Sequence, residues 1–206
     1  MTKKRKFSSF SLAEALKQLR IIDLLPWPLI TNSVEPSPFF QQRLERLQCF
    51  DLQSYEESKK LLIDAICEEA IQEFEHLKIW KGAVLESDRL TGYADYLVAE
   101  RKRYLEAPVL CIIEAKKDDF EQGLAQCLVE MQACQYIDQQ VNIEATIYGI
   151  VTNGDTWKFY KLDLHGDVSE TLPYSISNLP NILGILRYVF GQCEETVKKS
   201  ELCCAN

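Results

Sequence analysis

Three side chains near the middle of the chain have types and spacing suited to chemistry: Asp95, then Glu114 and Lys116 nineteen and twenty-one residues on. Glu114 and Lys116 close an apolar run, Val109 to Ile113, that reads as a buried strand. Residues i and i+2 of a strand point to one face. Glu114 and Lys116 therefore share a face, and Asp95, within Gly92-Tyr-Ala-Asp-Tyr-Leu-Val98 on the neighbouring strand, can join them. Two carboxylates and an ammonium converging at a strand end make a divalent-metal site with an attached cation, the chemistry of phosphodiester hydrolysis. The plainer alternative is a surface ion pair worth less than ~1 kcal/mol. The position at the end of the most apolar strand, beside Asp95, favours a site.

The elements that must position these residues follow from periodicity and caps. Ser11-Leu-Ala-Glu14 is a capping box opening a helix to about Ile22, which Pro26-Trp27-Pro28 is expected to stop. Trp27 reads as a plug at a core edge. Phe39 to Phe50 reads as a short helix. Ser58 to Leu77 carries Leu62, Ile63, Ile66, Ala70, Phe74 and Leu77 at helical spacing. Its glutamates read mostly as solvated, but Glu69 lies at the edge of the apolar stripe, where it can reach a site at the sheet, with Glu73 as the rival. Strands follow at 81–86, 92–100 and 108–115, then a helix over 118–140, a hairpin of 145–152 and 156–162 turning at Asn153-Gly154-Asp155, and a closing helix over 179–190. The first ten and last dozen residues read as mobile or frayed. One mixed sheet flanked by helices packs this order most naturally.

Composition narrows the classes. A chain of 206 residues with 47% hydrophobic residues is long enough for one packed domain. The net charge of −8 argues against a broad basic surface, although Lys3 to Lys6 and Arg101 to Arg103 form local basic clusters. The eight cysteines form no Cys-x-x-Cys pair and the two histidines are isolated, so a zinc site is not expected. Cysteines inside apolar patterns fit a reducing cytoplasm. No secretory h-region, membrane-length apolar run or ATP-binding P-loop is apparent, so neither membrane nor ATP is an expected partner.

Taken together, Asp95 and Glu114-Ala115-Lys116 resemble the PD-(D/E)XK nuclease superfamily. Gln132-Ala133-Cys134-Gln135-Tyr136 and Thr152-Asn153-Gly154-Asp155-Thr156-Trp157-Lys158-Phe159-Tyr160 are similar to the Gln-Ala-x-x-Tyr and Thr-Asn-Gly-x-x-Trp-x-x-Tyr elements of the N-terminal nuclease domain of type I restriction enzyme R subunits. The resemblance covers about residues 58–162. It implies an α/β (α+β) fold with a restriction-endonuclease-like αβββαβ core over 56–165; residues 1–55, read as a helical extension packed on that core, and 166–206, read as a C-terminal helix and tail, have no counterpart in the family. It further implies Mg²⁺ (or Mn²⁺) held by Asp95, Glu114 and the Ala115 backbone carbonyl, with Glu69 as an added ligand. Lys116 assists the attacking water, and Gln132 and Tyr136 line the site or touch the phosphate backbone. DNA is the expected substrate, with a homodimer or partner subunit needed to cut both strands. The competing expectation is a non-catalytic nucleic-acid-binding or assembly module on the same fold.

Overall fold

The apolar run ending in Glu114 lies at the centre of the sheet, with each of its residues buried. The computed structural model describes residues 4–52, 54–116 and 119–204. Lys117, expected to face solvent, and Asp118, expected at a helix start, lie outside them. In chain order the elements are β1 (Arg5–Lys6), α1 (Leu12–Leu19), β2 (Leu25–Pro26), α2 (Pro38–Leu47), α3 (Glu56–Ile71), β3 (Leu77–Glu86), β4 (Leu90–Glu100), β5 (Val109–Ala115), α4 (Phe120–Gln140), β6 (Ile147–Thr152), β7 (Thr156–Leu162), β8 (Val168–Glu170), β9 (Tyr174–Ser175) and α5 (Leu179–Cys204). The strand order is β1-β4-β5-β6-β7-β8-β2, with β3 also on β4 and β9 also on β7. β5 and β6 run parallel while β3–β4, β4–β5 and β6–β7 are antiparallel, so the sheet is mixed. The chain is thus mixed α/β, a central mixed sheet flanked by helices.

Side-chain alternation along the strands assigns the layers. Gly149 and Val151 of β6 face α4, where Cys127, Met131 and Gly123 meet them. Tyr96 of β4 faces the other way, and its hydroxyl donates to Asp64 of α3 at 2.8 Å. α3 packs against α5, with Phe74 edge-on to Phe190 at 6.3 Å between ring centroids. The N-terminal segment is laid over this core: β1 pairs with β4, α1 packs on α4 and α2 on α3. Trp27 is half-buried against Tyr148. Cys67, Cys111, Cys127, Cys134 and Cys193 are buried free thiols serving as small apolar groups. Among the described residues no helix is long and apolar enough to cross a membrane.

Local rules explain most boundaries and the departures from expectation. The capping box forms, Ser11 N–H donating to Glu14 Oε2 and Glu14 N–H to Ser11 Oγ. α1 nevertheless ends at Leu19, with Arg20 in the left-handed region, well before the prolines expected to stop it. α3 ends at Ile71 rather than Leu77. The apolar spacing continues because Phe74 caps the α5 contact and Leu77 opens β3, so two elements share one unbroken pattern. α5 runs on through Cys204 instead of ending at Phe190, because Cys193 and Val197 continue its buried stripe. The strands of two or three residues, β1, β2, β8 and β9, are too short to leave a period in the sequence.

One buried acid couples this packing to pH. Asp138, near the end of α4, accepts the Val109 N–H at 2.9 Å through Oδ1, fixing the helix to the start of β5. Its Oδ2 is buried without a donor. Burial pushes the carboxyl up to about 7 from an ordinary 3.8, against the pull of the Val109 N–H. A pKa raised by folding means the fold holds the neutral acid. Its contribution is complete below about pH 4 and is lost as pH rises through 7. The thermal midpoint should therefore fall between pH 5 and 8, and Asp138→Asn, neutral and still able to accept from Val109, should remove most of that fall. An equal pH slope in the variant would refute the assignment.

Candidate active site

The site forms where two central strands part. β5 pairs with β4 from Val109↔Ala99 to Ile113↔Tyr96, and β3 occupies the opposite edge of β4 along nearly all its length. Beyond Tyr96 the β4–β5 ladder stops, and further along β4 the strand β1 pairs with Leu90 and Thr91. In the interval the two carboxylates replace main-chain acceptors. Ala115 N–H donates to Asp95 Oδ2 at 3.0 Å, and Asp95 N–H donates to Glu114 Oε1 at 3.4 Å. Each acid is thereby held by the backbone of the other strand. The sequence-predicted convergence of Asp95, Glu114 and Lys116 is what this geometry places together.

Lys116 is fixed at both ends. Its N–H donates to the Thr152 carbonyl at 2.9 Å, where β6 enters its hairpin. Its Nζ lies 3.0 Å from Glu114 Oε2 and 3.3 Å from Gln126 Oε1. Burial opposes the ammonium, but Glu114 outweighs it and raises the pKa, so Lys116 is charged. Gly123, in the first turn of α4, makes room for the lysine stem: a Cβ there would stand 2.9 Å from Lys116 Cγ and 2.8 Å from Val151 Cγ1. The Asn-Gly turn supports the hairpin itself, with Asn153 Oδ1 accepting from Asp155 and Thr156 N–H and Trp157 Nε1 donating to the Gly154 carbonyl.

Sequence reasoning missed four residues that complete the surroundings. From α3, Lys60 Nζ lies 3.0 Å from Asp95 Oδ1 and also reaches Glu57 and Glu56 at 2.9 and 3.4 Å. Burial works against this ammonium, yet Glu57 and Asp95 together raise its pKa well above the ordinary lysine range. Glu56 also acts electrostatically on Lys116. From α4, Gln126 donates through Nε2 to Glu130 Oε1 at 2.9 Å. Glu130 is fully buried against Glu114. Burial and the Glu114 charge push its carboxyl well above the ordinary range. Glu130 Oε2 is buried without a donor, and a proton on Glu130 relieves its repulsion with Glu114. Burial also raises Glu114, against the pull of Lys116. With Glu130 neutral, Asp95 and Glu114 are balanced by Lys60 and Lys116. The signal for Gln126 and Glu130 was present: two polar residues four apart inside an otherwise apolar helical stretch.

Three expected site residues lie elsewhere. Glu69 is a packing acid: its carboxylate accepts from Ser37 N–H at 2.8 Å and Ser37 Oγ at 2.9 Å, at the start of α2. Nine residues from Lys60, it is rotated by about half a turn onto the opposite face of α3. Gln132 is two residues past Glu130 and so turned away from it on α4, and it accepts from Gln18 of α1 at 3.3 Å. Tyr136, about 15 Å along α4 from Gln126, lines a separate surface cleft with Gln132, Gln18 and Arg89.

The oxygen-only donor set of Asp95 and Glu114 suits a hard divalent cation. Among the described residues no group of three or more His, Cys, Asp or Glu side chains is arranged to hold a metal ion, and Mg²⁺ commonly takes only one or two carboxylates plus waters and substrate oxygens. No protein-family model matches the chain, and comparison with curated proteins finds no match.

The two acids of opposite fate give a test. Asp95→Ala strips the acceptor from the Ala115 N–H and leaves the Lys60 ammonium facing other acids alone, so it should destabilise the fold by about 1–3 kcal/mol in urea unfolding. Glu69→Ala should cost a similar ~1–3 kcal/mol but act by loosening α2. Hydrogen exchange should then quicken in residues 38–47 and not around Asp95. Quickening confined to the β4–β5 end would contradict this placement of Glu69.

Proposed function

We propose that the chain is a metal-dependent nuclease-like protein that hydrolyses DNA phosphodiester bonds on a restriction-endonuclease-like core of the PD-(D/E)XK kind. The order α3, β3–β5, α4, β6 supports that core. The observation that carries the activity is the reciprocal clasp of Asp95 and Glu114 across the β4–β5 parting, with the Lys116 ammonium 3.0 Å from Glu114. Asp95, Glu114 and the Ala115 carbonyl would hold Mg²⁺ or Mn²⁺, which when bound polarises the phosphoryl group and acidifies a water. Lys116 orients the attacking water and neutralises charge developing on the phosphoryl oxygens. Gln126 aligns Lys116, and the Glu130 carboxyl under Glu114 keeps the metal-side carboxylate in place. A single centre of this kind cuts one strand, so cleavage of both calls for a second copy or a partner subunit. Incubated with supercoiled plasmid and Mg²⁺ or Mn²⁺, the wild type should nick it, and Lys116→Ala should lose roughly 100-fold or more in rate. An inert wild type, or equal cleavage by the variant, would overturn the proposal.

A second reading is favoured by one contact: Lys60 already neutralises Asp95 Oδ1 at the place a metal would take. A binding or assembly module with the acids paired internally would look like this. On that reading, Lys60→Met takes up Mn²⁺ in calorimetry and the wild type takes up none. Uptake by the wild type, abolished by Asp95→Asn, supports the nuclease reading instead.

A further inference from the structure

Beside the carboxylates lies a second surface feature that the cleavage chemistry does not use. A cavity of about 340 Å³ is lined by Lys6, Phe7, Val84, Tyr93 and Gln126. Gln126 is common to both places, since its side chain also contacts Lys116 and Glu130. Tyr93 is 71% exposed, an unusual position for a tyrosine two residues from buried Asp95 contacts. It stands on the same face of β4 as Asp95, about 7 Å along the strand. Val84 of β3 is directly opposite it in the ladder and is also exposed, giving the cavity an apolar wall. The floor is built rather than accidental. Phe7 is buried against Gly92, where a Cβ would meet its ring at 2.6 Å. The preceding Lys6 belongs to β1, so the N-terminal strand brings a cation to the rim.

We propose that this cavity is a base-stacking subsite, and that the substrate is therefore single-stranded nucleic acid with an unpaired base laid on Tyr93 and its phosphate passed to Asp95 and Glu114. The proposal rests on reading those acids as a phosphodiester-cleaving centre. Three features direct it to an unpaired base. The aromatic face is free, as a base needs and a duplex backbone does not. The cavity volume suits one nucleobase. A chain of net charge −8 has little phosphate-neutralising surface with which to grip a duplex, whereas stacking on an aromatic is sequence-tolerant and adds to what a local cation such as Lys6 supplies.

Fluorescence anisotropy with a labelled single-stranded oligothymidylate of about 12 nucleotides, compared with a duplex of equal length, tests this in EDTA, where no cleavage is needed. The wild type should prefer the single strand. Tyr93→Ala should weaken that binding about tenfold or more, and Tyr93→Phe, which keeps the stacking face, should stay within about twofold. An unchanged affinity in Tyr93→Ala, with its unfolding midpoint intact, would overturn the subsite, as would equal binding of the duplex. Cutting of the same labelled single strand with Mg²⁺ or Mn²⁺, wild type against Lys116→Ala, separates the two ideas. Tyr93-dependent binding by a protein that never cuts sustains the subsite and removes the nuclease reading. Lys116-dependent cutting with Tyr93-independent binding does the reverse.

Discussion

The molecule depends on the parting of β4 from β5. A ladder that continued to the end of both strands would give the amides of Asp95 and Ala115 carbonyl partners and leave Asp95 and Glu114 no place as acceptors between the strands. Here the backbone pairing stops at Tyr96 and Ile113, and the two acids take over as acceptors for the amides left behind. An unpaired buried amide costs roughly as much as a lost hydrogen bond, so the strands can separate only because the side chains supply oxygens. The same carboxylates that give the site its chemistry are the reason the backbone can open there.

From that opening outward, each layer sends one cation or one polar clamp inward. α3 contributes Lys60 against Asp95, β5 contributes Lys116 against Glu114, and α4 contributes Gln126 and Glu130 beneath them. The hairpin of β6 and β7 holds the Lys116 main chain, and Gly123 keeps the helix from colliding with its stem. Balanced charge lets so many ionisable groups remain largely buried, since an unpaired buried charge would be costly.

Much of this was legible in the sequence, and what was not had physical reasons. The run from Val109 to Ile113 announced a central strand because a strand covered on both faces has no polar alternation. Asp95, Glu114 and Lys116 could be grouped because a two-residue period is rigid. Glu69 was misplaced because helical periodicity tells which residues face inward but not which of two inner neighbours each one meets: it faces Ser37 of the N-terminal segment, whose docking no local pattern encodes. Lys60 was invisible for the opposite reason, a long side chain on a charged stretch of α3 reading as solvated. Gln132 and Tyr136 carried a motif-like spacing, yet the turn of α4 that meets the site is the one bearing Gln126 and Glu130. Short strands such as β1 are set by their partners and leave no trace in composition.

The place of β1 has a broader consequence. Arg5 and Lys6 pair with Leu90 and Thr91 on the edge of β4 that β5 has vacated, and Phe7 then plugs the surface at Gly92. The opening beside Asp95 is therefore framed by segments far apart in the chain, β1 on one side and the β4–β5 pair on the other. The cleft has no finished outline until β1 has docked, so a two-residue strand remote in sequence acts as the keystone of a site whose chemistry lies in Asp95, Glu114 and Lys116.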